Sequence, residues 1–208
     1  MLPIFLASSS PRRKELLITA GINFSTLSVD IDESIAVGEL PTDYIARMAT
    51  QKAQAAMNKI ATTIPVNDVY IIITADTIGV LADGTTILVK PNDQQHAMQM
   101  WQAMSNSTHE VWTAVCISLV KPNQSQHNLI KSEQILEKTQ VNFIALTKQM
   151  MQDYWHTGEP QDKAGGYAIQ GRAAAWVKSI NGSYTNVVGL PLAQTLQVLN
   201  AMQSIDYS

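Results

Sequence analysis

The sequence predicts an α/β fold, a mixed twisted β-sheet flanked by helices, and three observations carry that expectation. Val69 to Thr74 ("VYIIIT") is the most apolar run, as expected of a central strand covered on both faces. From Thr42 to Ala61, Ile45, Met48, Ala49, Ala53, Ala56, Met57 and Ile60 fall at helical spacing. "HEVWTAVCISLV" and "SEQILEKTQVNFIAL" read as two long strands, joined by the polar "KPNQSQHN".

The remaining elements follow from local chemistry. "IFLA" (Ile4 to Ala7) reads as a short buried strand. Ser10 can cap a helix beginning at Pro11, where proline's missing N–H costs nothing, and Gly21 ends it. "FSTLSV" is a strand and "DIDES" an acidic loop. After "VYIIIT" the chain reads "ADT", then a short strand "IGVL", an Asp83–Gly84 turn and "TILVKP" as a hairpin. "QQHAMQMWQAM" is a helix, and Thr147 can cap another through Tyr154 and Trp155. A long irregular stretch, "HTGEPQDKAGGYAIQGRAA", precedes "WVKSI", an "NG" turn and "YTNVVG", which read as a final strand pair. A helix from Pro191 to Met202 closes the chain.

At 208 residues the chain can bury one sizeable core, and residues 1–208 are expected to form a single domain. Net charge is −3, which argues against a general nucleic-acid-binding face while leaving local basic clusters open. The single cysteine, Cys116, excludes an internal disulfide framework and a cysteine zinc site, and its alternating surroundings read as a buried small hydrophobe. No run of about 18 apolar residues exists. Leu2 to Ala7 is too short for a signal sequence, so the expected location is cytoplasmic, without membrane contact.

Several places break the ordinary pattern. Ser8, Ser9, Arg12 and Arg13 crowd donors and charge at a helix N-terminus, where the dipole already favours an anion. Basic residues there oppose the dipole unless an anion sits among them, so a phosphate site is one reading and an exposed basic helix start the other. Asp76 follows an apolar strand, a position where α/β sheets bind ligands; it can hold Mg²⁺, take a proton from water, or merely form a turn. Asp30, Asp32 and Glu33 form a loop of hard oxygen ligands or a solvated loop. Lys52 falls in or beside the apolar stripe of its helix, and spacing alone favours a solvated lysine. The stretch around "EPQDKAGGYAIQG" is long for an irregular segment, and Tyr167, Ile169 and Trp176 argue against disorder; it is a functional loop, with the Gln170 amide suited to a base edge, or a structural Ω-type loop. Lys90 stands at a strand end. His96, His109, His127 and His156 show no metal-ligand spacing.

With these residues in view, the chain resembles the Maf family of nucleoside triphosphate pyrophosphatases, in the branch acting on deoxythymidine and uridine triphosphates (dTTP and UTP). The resemblance rests on "LASSSPRRKELL", "DIDES", "ARMATQKA", "TADT", "VKP", "HEVWTAV", "EPQDKAGGYAIQG" and "INGSYTNVVGLPL", in that order from Leu6 to Leu192. It implies two lobes around a nucleotide cleft, as in inosine triphosphatase-like folds. It implies hydrolysis between the α and β phosphates, with a divalent cation, Mg²⁺ or Mn²⁺. By that resemblance Ser8, Arg12, Arg13, Lys52, Lys90 and Lys163 bind the phosphates. Asp76 is the general base and shares the metal with Glu33. Arg12, Thr77 and Gln170 occupy positions linked to substrate choice. The partner implied is the nucleotide, and a homodimer is compatible with the family, though no stretch shows its interface.

Three residues depart from the family pattern: Gln51 where glutamate is usual, Val89 where glutamate or glycine is common, and Ala173 where glycine is usual. Fewer carboxylates would weaken metal binding, and a methyl at 173 would matter if the backbone there needed positive φ. These departures keep open a regulatory nucleotide-binding protein that inhibits septum formation with incidental hydrolysis. A hydrolase for modified purine triphosphates is a third reading, opposed by "IQG" and Thr77.

Overall fold

Strand β1 (Ile4–Ala7) is buried along its whole length and pairs in parallel with β2 (Ser25–Leu27) on one side and β3 (Tyr70–Val80) on the other. The computed structural model describes residues 1–64, 68–123 and 127–205, and the backbone alone of Asp162. Beyond β3 the sheet turns antiparallel through β5 (Thr108–Lys121), β6 (Asn128–Phe143) and β7 (Val177–Asn181), with β4 (Ile87–Leu88) paired to the far end of β3. The sheet is therefore mixed, with seven strands, as the sequence predicts. The polar connection before β6 includes residues 124–126, which lie outside the described residues.

Two sequence expectations are corrected here. "VYIIIT", "ADT" and "IGV" are one strand, not two, because β5 pairs with β3 without interruption from Tyr70↔Val120 to Val80↔Glu110. Asp76 thus sits inside a strand. The other edge of β3 is different: its ladder to β1 ends at Leu6↔Ile73 and its ladder to β4 begins at Gly79. Between them, among the described residues, that edge has no strand partner, and a cavity opens there. The second correction concerns "YTNVVG", which forms helix α5 (Tyr184–Val188) instead of a strand. Ser183 caps it, accepting from Asn186 N–H at 3.2 Å, and this local bond outweighs the β-branched composition of the segment.

The helices cover both faces. Helix α1 (Pro11–Thr19) and helix α6 (Leu192–Gln203) set Leu17, Leu199 and Met202 against Ile71, Ile73 and Ile117. On the opposite face α2 (Pro41–Thr63) packs Ile45, Met48 and Ala53 against Ile78, Trp112 and Cys116, which is buried as expected. Helices α3 (Gln94–Met104) and α4 (Lys148–Trp155) join three short 3-10 turns between Glu159 and Trp176 in a separate aromatic cluster around Trp101, Tyr154 and Trp176. The cavity draws walls from both the sheet side and this second cluster. No helix among the described residues is long and apolar enough to cross a membrane.

His109 belongs to the second cluster. It is 1% exposed, edge-on to Phe143 and Tyr167, with Nε2 2.6 Å from the Tyr167 hydroxyl and Nδ1 without a hydrogen-bond partner. Burial pushes its pKa down from the ordinary 6.5 to about 4. Below the ordinary value the unfolded chain takes up a proton that the folded one refuses. Stability is therefore full above pH 6.5 and falls as the pH drops toward 4, by on the order of 3 kcal/mol. Urea unfolding across that range should show this slope, and His109→Gln should flatten it; equal slopes in the two proteins would assign the acid sensitivity elsewhere.

Candidate active site

The cavity, about 800 Å³, is large enough for a nucleotide. Its first wall is the turn from β1 into α1. Pro11 takes the first helical position and Ser10 caps it, accepting from Arg13 N–H, so among the described residues only the Arg12 N–H of the first turn lacks a protein acceptor, and this helix start lines the cavity. Ser8 Oγ accepts from Ser10 N–H at 3.2 Å and from Arg13 Nη1 at 3.1 Å, which leaves its own proton available. Arg13 is held by three bonds, the others being Nε to Gly189 O at 2.8 Å and Nη2 to Thr77 Oγ1 at 2.9 Å. Burial lowers its pKa from the usual value, and the nearby Asp76 carboxylate opposes that shift. Gly189 has φ of 125°, disfavoured for a side chain, and this turn of the backbone presents its carbonyl to Arg13.

The centre of the site is Lys52. The expectation of a solvated lysine is overturned: its side chain is 12% exposed, and Nζ lies 2.6 Å from Asp76 Oδ1 and 2.8 Å from Glu33 Oε1. Helix α2 crosses the face of β3 where the partnerless edge begins, and a long side chain there reaches the two carboxylates. Glu33 has its pKa lowered, first by the hydrogen bond from Lys52 and then by the charges of Lys52, Lys90 and Arg13, against an opposing effect of burial. Among the described residues no protein donor bonds Asp76 Oδ2 or Glu33 Oε2.

Glu33 is the only member of its acidic loop on the cavity. Asp32 instead accepts from Ser34 N–H at 2.9 Å, and Asp30 lies off the cavity wall. The loop is braced by residues that sequence reasoning missed. Tyr44 donates to Glu33 O at 3.0 Å, Arg47 Nη2 donates to Ser34 O at 2.9 Å, and Glu39 closes the brace with Arg47 at 2.6 Å and Ala36 N–H at 3.0 Å. Tyr44 also lines the cavity. Burial, with the charges of Asp76 and Glu33, raises its pKa to about 12, so it stays a neutral donor. The signal was present in "ARMATQKA": Arg47 stands five residues before Lys52, but its partner Glu39 comes from an irregular loop.

The remaining wall carries Lys90, Lys163 and Gln170. Lys163 Nζ donates to Glu159 O at 2.7 Å. Glu159 is the knot of this stretch. Its carboxylate accepts from Tyr154 Oη at 2.8 Å and from Arg172 N–H at 3.2 Å, while the Tyr154 oxygen accepts from Ala168 N–H at 3.2 Å. Gly171 leaves room for this carboxylate: a Cβ there would meet Glu159 Oε1 at 1.7 Å, so the Glu159 side chain would have to shift.

The three departures sort differently. Ala173 is fully buried in the aromatic cluster, and Asn106 is the only described residue other than glycine with positive φ, so the expected strain at 173 does not arise. Gln51 is exposed, takes a 3.5 Å contact from Arg47 and does not line the cavity. Val89 does line it, and its carbonyl accepts from Gly165 N–H at 3.0 Å.

The site residues implied by the resemblance thus all line one cavity: Ser8, Arg12, Arg13, Glu33, Lys52, Asp76, Thr77, Lys90, Lys163 and Gln170. Five cationic side chains face two carboxylates in a chain that is acidic overall. Such a site, on a mixed α/β sheet with a helix N-terminus in its wall, defines a binder of a phosphorylated small molecule. Comparison with known proteins agrees. Residues 3–202 match the family described as Maf-like protein, and the chain belongs to that family. It is 52% identical to the "dTTP/UTP pyrophosphatase" of Psychrobacter cryohalolentis, over 98% of both chains. It is 52% identical to the protein of that name from Psychrobacter arcticus, over 96% of this chain and 94% of the other. Against the Shigella dysenteriae protein of the same name it is 40% identical, over 99% and 95%.

Gly171→Ala tests the Glu159 knot. The added methyl must displace the carboxylate, so the variant should lose about 1–3 kcal/mol of stability, as overpacking does. Chemical unfolding measures it, and unchanged stability would show that the carboxylate moves aside freely.

Proposed function

We propose that this protein hydrolyses pyrimidine nucleoside triphosphates, dTTP and UTP among them, between the α and β phosphates, releasing the monophosphate and pyrophosphate. One observation carries the reading: a single cavity gathers Arg12, Arg13, Lys52, Lys90 and Lys163 from separate segments around the Lys52–Asp76–Glu33 cluster. Hydrolysis of a phosphoanhydride needs positioning and charge neutralisation more than covalent chemistry, and this arrangement offers both. The names carried by the relatives supply the substrate class.

In this reading Ser8, Arg12, Arg13, Lys52, Lys90 and Lys163 hold the triphosphate, with the N-terminus of α1 beside them. Asp76 takes a proton from water as its oxygen bonds to the α-phosphorus, and the bond from that phosphorus to the bridging oxygen breaks, releasing pyrophosphate. Lys52 holds Asp76 in place at 2.6 Å. Arg12, Thr77 and Gln170 contribute to the choice of base. The donor set also fits a hard divalent cation, since Glu33 and Asp76 converge and each keeps one oxygen unbonded by protein. No cluster of three or more His, Cys, Asp or Glu side chains occurs among the described residues, so an Mg²⁺ or Mn²⁺ ion there would take further oxygens from phosphate and water. When bound, the ion supplies charge neutralisation to the phosphates.

The regulatory reading is not favoured: the relatives are named as pyrophosphatases, and of the two departures behind it Gln51 lies off the cavity while Val89 lines it. We read residues 1–208 as one catalytic domain acting in the cytoplasm.

The test is pyrophosphate release from a panel of nucleoside triphosphates with Mg²⁺ or Mn²⁺. Asp76→Asn should fold normally and lose at least ~2 kcal/mol of transition-state stabilisation, roughly thirtyfold in kcat/KM. Full activity in that variant would remove Asp76 as the base. Binding without turnover in the unaltered protein would overturn the hydrolytic reading.

A further inference from the structure

Two sequence blocks, "HEVWTAV" and "INGSYTNVVGLPL", contribute no charged group to the proposed chemistry, yet they meet behind the cavity. Thr113 of β5 and Asn186 of α5 are fully buried there, with Thr139 of β6 between strand and helix. Thr113 Oγ1 donates to Asn186 O at 3.1 Å and lies 3.0 Å from Thr77 Oγ1. A hydroxyl has one proton. Because Thr113 spends its proton on a carbonyl, which only accepts, Thr77 must donate to Thr113. Arg13 Nη2 in turn donates to Thr77 at 2.9 Å. The chain of bonds therefore runs one way, from Arg13 through Thr77 and Thr113 to the Asn186 carbonyl.

The far end is equally determined. Asn186 Nδ2 donates to Val111 O at 2.9 Å and to Thr139 Oγ1 at 2.9 Å, and the first of these fixes the amide orientation. Thr139 donates to Ser183 O at 3.2 Å and accepts from Ser183 N–H at 3.0 Å. The other end of α5, at its C-cap, presents Gly189 O to Arg13 Nε at 2.8 Å. Two of the three bonds that orient the Arg13 guanidinium thus lead back to α5.

We propose that Thr113, with the Asn186 carbonyl as its acceptor, is a positioning residue for the phosphate-binding Arg13, acting through Thr77. A consequence follows for substrate choice. The single Thr77 proton is committed to Thr113, so Thr77 meets a nucleotide with a lone pair or its methyl, never as a donor. The proposal rests on the reading of Arg13 as a phosphate ligand.

The experiment combines kinetics with equilibrium binding of α,β-methylene uridine triphosphate, which cannot be cut at the proposed bond. Thr113→Val keeps the shape and removes the relay. It should weaken analogue binding roughly tenfold, and raise KM more than it lowers kcat, as expected for a misplaced charged donor. Thr113→Ser, which restores the hydroxyl, should recover binding. In an Arg13→Lys background, where no guanidinium remains to orient, Thr113→Val should change binding less than about twofold. Should Thr113→Val fail to fold, Thr77→Val carries the test through the Arg13→Lys background: a tenfold loss alone and less than about twofold there, so that a direct loss of Thr77 from the nucleotide is told apart. Unaltered binding in the valine variants, a serine variant as weak as the valine one, or a full tenfold loss in the Arg13→Lys background would each overturn the proposal. A protein that releases no pyrophosphate but shows the expected binding pattern would overturn the hydrolytic function and leave the relay standing.

Discussion

The arrangement of this site depends on one buried ammonium. Lys52 joins helix α2, strand β3 and the loop carrying Glu33, because its Nζ contacts carboxylates from the latter two at 2.6 and 2.8 Å. A lysine this enclosed is costly to desolvate unless paired, and here it has two partners. The pairing accounts for the position of the loop as well as the chemistry. Two carboxylates that would repel each other are drawn to one point, and the remaining oxygens are left facing a cavity. The Tyr44 and Arg47 contacts from the same helix then hold the loop backbone so that Glu33 need not search for its partner. Helix α2 thus supplies core packing on one side and three site-organising side chains on another.

The second determinant is a mismatch of strand lengths. β3 runs eleven residues against a β1 of four, so one edge of the central strand outlasts its parallel neighbour. In many open α/β sheets the crevice lies beyond the carboxyl ends of strands. Here it lies beside the middle of one strand, beyond the carboxyl end of the next. Asp76 therefore has a rigid ladder to β5 beneath it, through Ala114, and open space beside it.

These features explain what was legible in the sequence. Strands and helices with strong periodicity, such as α2, α3 and the β5–β6 pair, were readable because their burial pattern repeats locally. The candidate site residues were readable because their chemistry is out of place where they stand: two arginines at a helix start, an aspartate after isoleucines. The role of Lys52 was not, since spacing on a helix says nothing of a carboxylate 24 positions later. The continuity of β3 through "ADT" depended on a partner strand far along the chain, and the helix at "YTNVV" on a single serine cap overriding β-branched composition. Glu39, Glu159 and Thr113 escaped notice for a common reason. Each acts on another protein group, and nothing in residue type distinguishes such a partner from an ordinary surface or strand residue.

The bond from Arg13 to the Gly189 carbonyl spans 176 positions. Everything between α1 and the end of α5 must be in place before this bond can close. Long-range closures of this kind form late and depend on everything between them being in place. The turn into α1 therefore takes its final geometry only once α5 is in place. A chain lacking α5 would hold the same α1 residues without the anchor that orients Arg13.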